Sequence, residues 1–142
     1  MYISDAKRLT AAGARKIVDA AISRGKQENI AITVAVVDAG GHLMVLERMD
    51  GGKFHSVHSA TTKAVCAASN KRNTGSTGAV GQSLDVLHAL GLALAAGPER
   101  WTAMEGGCPI MAGNECIGGV GVAGGNWEFD ERVAKEAVSA IK

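Results

Sequence analysis

The sequence predicts a single α+β domain in which a mainly antiparallel, five-stranded sheet is flanked by helices. Short apolar runs of strand length come in pairs joined by Gly-containing turns, so hairpins dominate. Apolar residues at helical spacing fill the segments between these pairs. The regular alternation that builds parallel βαβ units is absent. With 142 residues and no internal repeat, residues 1–142 are interpreted as one domain.

The first half of the chain is predicted to form a helix, a hairpin and a second helix. Thr10 fits an N-cap, and the apolar stripe behind it ends between residues 25 and 29. Residues 32–37 and 42–49 are the two strands of the hairpin, joined by a turn at residues 38–41. From about Phe54 the period changes, and a second helix places these residues on one face: Val57, Ala60, Ala64 and Ala68.

The second half is predicted to form a loop, a helix, three strands and a last helix. Residues 70–83 are rich in Gly, Ser, Thr and Asn and are interpreted as a loop. Residues 84–96 are helical and end at Gly97 and Pro98. The strands are residues 101–105, 109–112 and 116–123, and the last helix begins at Asp130.

The helix predicted for residues 84–96 is apolar nearly all round. A helix without a polar face needs cover on more than one side. Only 4% of the residues are aromatic although 46% are hydrophobic, so smooth Ala- and Leu-rich surfaces are available for association. These features predict a homo-oligomer.

Charge and cysteine usage narrow the classes of partner. Fifteen Lys and Arg against 14 Asp and Glu give a formal net charge of +1, which provides no global attraction to nucleic acid or anionic membranes. No apolar stretch approaches about 18 residues, and no secretory signal pattern is visible. Three cysteines with no paired spacing are typical of free thiols. The prediction is a cytoplasmic protein without nucleic-acid or membrane partners.

The first candidate site follows the hairpin, at Arg48-Met49-Asp50-Gly51-Gly52. A guanidinium can bind a carboxylate through two parallel hydrogen bonds, and the glycines let backbone lie close to a ligand. The alternative is an intramolecular ion pair between Arg48 and Asp50 or a neighbouring acid.

The second candidate site is the start of the helix after this motif. His55 and His58 lie three residues apart, and His58, Thr62 and Cys66 follow one stripe of the helix. Such a stripe can supply a haem axial ligand or a metal ligand, with His58 as the ligating residue. The alternative is a solvated or interface face. The sequence contains no motif for structural zinc or for covalent c-type haem. It also contains no recognisable catalytic motif, so the sequence does not decide whether the protein is an enzyme.

Glycines alternate with valines in the segment of residues 118–125. The spacing matches neither a P-loop nor a dinucleotide-binding fingerprint. Alternation at Gly119 and Gly121 instead indicates a strand with one bare face, which permits close approach of a helix, a ligand or another subunit.

Four motifs together resemble those of the GlcG-like family, which includes haem-degrading HbpS-like proteins and the C-terminal domain of PduO-type proteins. These are VVDAGG, RMDG, GGCPI and GVGVAGG, at residues 36–41, 48–51, 106–110 and 119–125. The resemblance runs from about Thr10 to the C-terminus. It implies a profilin-like fold with a five-stranded antiparallel sheet, and it implies binding of haem or a related tetrapyrrole, with haem degradation among the HbpS-like members.

The cofactor-binding candidates are Arg48, Asp50, His55, His58 and Lys63. Arg48, in RMDG, and Lys63, at a Lys-Ala position, lie in segments that match the family's pattern, whereas the two histidines are candidates by their spacing and no haem ligand is carried over from the family. The two cations would hold haem propionates or a small carboxylate. Two alternatives remain. One is a non-catalytic accessory protein of a diol, glycerol or glycolate operon, with cobalamin as the ligand and without the adenosyltransferase domain of PduO-type proteins. The other is an enzyme that acts on a small carboxylate metabolite.

Overall fold

The structure is a computed structural model that describes all 142 residues. Its elements in chain order are α1 (Ala11–Gln27), β1 (Thr33–Asp38), β2 (Leu43–Arg48), α2 (Ser56–Asn70), α3 (Val86–Ala96), β3 (Gly107–Ala112), β4 (Glu115–Ala123) and α4 (Trp127–Val138), with a 3₁₀ turn at Ser139–Ile141. The strands form one antiparallel sheet in the order β2-β1-β4-β3. The α+β class is confirmed.

The predicted fifth strand, at residues 101–105, is wrong, because the sheet has four strands. This segment pairs with no strand. Trp101 is buried, and the carbonyl oxygen of Thr102 accepts a long hydrogen bond from Cys66 Sγ at 3.6 Å. Gly106, with φ 119°, then turns the chain into β3. The segment therefore packs beside α2 instead of extending the sheet.

Helices cover both faces of the sheet. α1 and α4 pack on one face, where Ile17, Val34 and Val122 belong to the main apolar core. α2 packs on the other face over a smaller core made of alanines and one valine. The buried members of that smaller core are Ala35, Val37, Ala60, Ala64, Ala68 and Ala123. The alternation along β1 sends successive side chains to opposite layers.

The bare face of β4 is occupied by α2. A Cβ atom on Gly121 would collide with the carbonyl oxygen of Ala60, and one on Gly119 would collide with that of Ala64. Of the partners that the Gly-Val alternation permits, the structure therefore shows a helix. The sheet and α2 approach so closely that only hydrogen fits between their backbones at these positions.

The start of α4 differs from the sequence prediction, and α3 differs from the other three helices in its exposure. α4 begins at Trp127, not at Asp130, because the Asn126 side chain caps it by accepting a hydrogen bond from Phe129 N at 2.8 Å. α3 has no buried residue at all. None of the helices combines the length and hydropathy that a membrane crossing requires.

Candidate functional site

A groove of about 530 Å³ lies between α2, α3 and the segment that leads towards β3. One wall is polar and comes from α2: His58, Ser59, Thr62 and Lys63. The opposite walls are largely apolar and come from α3 and residues 98–104: Val86, Ala89, Leu90, Ala93, Pro98, Trp101, Thr102, Ala103 and Met104. A volume of this size, with apolar walls and a few polar groups, is typical of small-molecule and cofactor sites.

His58 is the exposed imidazole of this groove. It is the third residue of α2, and Thr62 stands one helical turn further on. Its ring makes no hydrogen bond or ion pair within the protein, whereas its backbone N–H donates to His55 O. Both ring nitrogens are therefore available to a ligand.

Lys63 also lines the groove, but its ammonium group is held by the protein. Its side chain is only 4% exposed, and Nζ donates to Val122 O at 2.9 Å and to Asp130 Oδ2 at 3.3 Å. The other carboxylate oxygen of Asp130 accepts from Gly125 N at 2.9 Å. Burial lowers the pKa of Lys63 and raises the pKa of Asp130, and each charge opposes the shift of the other. Lys63 therefore joins α2 to β4 and α4 beneath the groove.

The other predicted ligand residues do not line the groove. Arg48 ends the edge strand β2, opposite Thr33, and has no carboxylate within ion-pair distance, so the alternative of an Arg48–Asp50 ion pair is not formed. Asp50 is exposed in the turn that Gly52 N closes onto Met49 O. His55 precedes α2 and is exposed, with its ring edge-on to Phe54. Their contact with a ligand stays a prediction.

The sequence patterns do not indicate the role of Asp130 or the apolar walls. They mark Asp130 only as a helix start, yet it is buried at the Lys63 ammonium. They assign Trp101 and Met104 to a strand and therefore do not predict that these side chains line a groove. Two features of the sequence bear on these walls: the apolar helix at residues 84–96, which the sequence predicts as an association surface, and the large aromatic ring of Trp101.

Two of the three cysteines are poorly suited to nucleophilic chemistry. All three are free thiols. Burial raises the pKa of Cys66, and it raises the pKa of Cys108 to about 11. Because the thiolate is the reactive form, these two side chains are inert at neutral pH. His, Cys, Asp and Glu side chains nowhere gather in groups of three that could hold a metal ion.

Comparison with known proteins identifies the family. The family of haem-degrading, HbpS-like proteins matches residues 9–139. The chain therefore belongs to the HbpS-like family, as the four motifs indicated. It is 29% identical, over 94% of its length and 92% of the relative, to a 15.0 kDa protein of the dhaT–dhaS intergenic region of Citrobacter freundii. It is 30% identical to protein GlcG of Escherichia coli K12, over 77% of this chain and 79% of GlcG.

Solved structures show the same architecture. The protein ORFY of Klebsiella pneumoniae superposes with a TM-score of 0.84 at 32% identity, covering 99% of this chain and 95% of ORFY. The PduOC:heme complex superposes with a TM-score of 0.83 at 29% identity, covering 96% of each chain. The second structure is of a protein with haem bound.

Proposed function

We propose that this protein binds haem, or a closely related tetrapyrrole, in the groove between α2 and α3, and that it does so as a cytoplasmic homo-oligomer. The observation that carries the proposal is the unpartnered imidazole of His58 at a groove whose other walls are apolar. The free state of all three cysteines supports a reducing compartment. The haem complex of PduOC, a structural relative, supports the choice of ligand.

The residues that line the groove are suited to binding haem. A neutral imidazole is a common axial ligand of haem iron, and His58 would supply that nitrogen. Leu90, Trp101 and Met104 would cover the porphyrin, which is apolar over both faces. Bound haem would supply iron redox chemistry; the protein supplies orientation and cover.

The propionates would not be held by Lys63. Its ammonium group already has Asp130 and Val122 O as partners, and breaking that pair would leave a buried carboxylate uncompensated. The propionates would therefore lie at the open side of the groove, in water.

The test is a hemin titration followed by absorbance, with two matched histidine variants. His58→Ala should change the Soret band of bound hemin and weaken binding at least about tenfold, since it removes the axial nitrogen. His55→Ala removes another exposed imidazole three residues earlier, outside the groove, and should leave the spectrum unchanged. Equal spectra for all three proteins, or binding that never saturates, would refute a specific site at His58. Loss of the Soret band on adding ascorbate in air, faster with the wild type than with His58→Ala or with free hemin, would assign haem degradation to the same groove.

A second candidate is an accessory role in a metabolic operon, with cobalamin as the ligand. The similarity to a protein from the dhaT–dhaS intergenic region favours it. Cobalamin is the second ligand in the titration because another relative, PduO of Salmonella typhimurium, is a corrinoid adenosyltransferase that is 30% identical over 89% of this chain and 37% of PduO. Saturable binding of cobalamin without saturable binding of hemin would favour this candidate over the first.

A further inference from the structure

α3 carries a row of exposed leucines that the chain itself does not cover. Leu87, Leu90 and Leu94 recur at spacings of three and four, so they form one stripe of the helix, here called the leucine stripe. Their exposed fractions are 77%, 54% and 69%. Exposed leucines are ordinary singly, but a contiguous row on one helix marks an interaction surface.

The chemistry of α3 restricts what can cover this stripe. No charged residue stands between Asp85, which caps the helix, and Glu99 beyond its end, apart from the titratable His88. A partner must therefore offer an apolar, uncharged surface of similar length. Gly91 lies beside the stripe, and a Cβ atom built on it would meet no heavy atom within 4 Å. A neighbouring backbone can approach closely there.

We infer that the leucine stripes of two copies of this chain pack against each other, with their α3 helices antiparallel about a two-fold axis. The stripe is its own complement, because it supplies both the leucine side chains and, at Gly91, the gap that receives them. Antiparallel packing aligns the helix dipoles favourably. It also keeps the two Asp85 carboxylates at opposite ends of the contact, whereas parallel packing would bring them together.

This pairing would complete the proposed haem site, and it rests on the proposed assembly into homo-oligomers. Leu90 belongs both to the leucine stripe and to the groove wall. A second α3 on the stripe would therefore lie beside the groove and fix the wall that α3 provides. Without a partner that wall has no buried residue to hold it.

The first test is the mass of the ligand-free protein by light scattering at micromolar concentration. The wild type should exceed the 14.5 kDa of one chain, and Leu87→Glu or Leu94→Glu should lower the mass at least twofold. Val80→Glu makes the same kind of chemical change at an exposed loop residue and should leave the mass unchanged. A monomeric wild type, or a mass that neither stripe variant lowers, overturns the inference. Because no hemin is present, this outcome is separate from failure of the haem proposal.

The second test is disulfide cross-linking, which reports orientation and leaves no charge in the stripe. Antiparallel pairing places residue 87 of one copy near residue 94 of the other. An equimolar mixture of Leu87→Cys and Leu94→Cys, allowed to exchange subunits and then oxidised, should therefore form more cross-linked dimer than either variant alone. Equal or greater cross-linking within the separate variants would overturn the antiparallel arrangement.

Discussion

At the scale of single residues, the buried pair of Lys63 and Asp130 shows how position changes the meaning of a charge. The motif that contains Lys63 predicts a ligand-binding cation. Its partner lies 67 residues further along the chain, and only the packing of α4 brings the two together. Local sequence patterns carry no information on such a contact. The sequence therefore indicates Lys63 as a candidate cation, but it does not indicate that Asp130 pairs with its ammonium group.

Removing one member of this pair should be much worse than removing both. Lys63→Met leaves the Asp130 carboxylate buried without its counter-charge and should lower the free energy of unfolding by about 3–5 kcal/mol. The double variant Lys63→Met with Asp130→Leu replaces the pair by apolar side chains and should recover most of that loss. Urea unfolding measures the wild type and both variants. A double variant as unstable as the single one would show that the loss comes from the shape of the side chains and not from the unpaired charge.

Cys108 gives the protein a specific sensitivity to alkali. Because burial raises the pKa of its thiol to about 11 from 9.0, the folded state holds this proton more tightly than the unfolded state does. Its contribution to stability is complete below pH 9 and is lost as the pH rises through 11. The loss should reach about 2 kcal/mol at pH 11.

The measurement compares unfolding free energies of wild type and Cys108→Ala between about pH 8 and about pH 11, a range that spans the two thiol pKa values. The two proteins differ only at residue 108, so the difference between the two curves reports the effect of the thiol. Parallel curves would mean that the Cys108 thiol ionises as readily in the folded chain as in the unfolded one.

At the scale of elements, the contact between β4 and α2 should tolerate no side chain. Gly121→Ala places a methyl group on the Ala60 carbonyl oxygen, and neither backbone can retreat without disturbing the sheet. We expect a loss of about 3 kcal/mol, at the upper end for overpacked cores. Gly75→Ala, in a loop where the new Cβ meets only Glu105 Cγ at 4.0 Å, should stay within about 0.5 kcal/mol of wild type. Similar thermal midpoints for both variants would contradict the close packing.

The elements that the sequence predicts well are those in which burial and local period agree. The apolar stripe of α1, the hairpin of β1 and β2, and the alanine face of α2 are each specified by residues near in sequence. Residues 101–105 have the length of a strand, but their backbone pairs with no strand. The side chain of Trp101 is buried, and Thr102 O accepts a hydrogen bond from Cys66 on α2 instead. The apolar period places the start of α4 three residues late, because the Asn126 cap lies outside that period.

At the scale of the whole molecule, the groove could be predicted only in part. The polar wall follows from helical spacing, because His58 and Thr62, and likewise Ser59 and Lys63, are four residues apart on α2. The opposite walls come from α3 and residues 98–104, which only the tertiary fold brings to α2. Arg48 and Asp50, close to His55 in sequence, lie at the end of β2 on one edge of the sheet, whereas Gly106, beside Lys63, leads to β3 at the other.

The distribution of burial predicts two levels of hydrogen exchange within one chain. β1 and β4 are central strands that belong to both apolar cores, and their amides should exchange only through global unfolding. α3 has no buried residue, so in a dilute, monomeric sample its amides should exchange through local opening, orders of magnitude faster.

Raising the protein concentration should slow the exchange of the α3 amides and leave the exchange of the β1 and β4 amides unchanged. If two copies cover the leucine stripe, α3 amides become protected by mass action as dimers form, while β1 amides, the internal control, keep their rates. Mass spectrometry of peptides covering residues 86–96 and 33–38, at concentrations spanning the transition seen by light scattering, measures both. Rates in α3 that stay constant across that transition would place the subunit contact elsewhere, and rates as slow as those of β1 in the dilute monomer would show that α3 is held by its own chain.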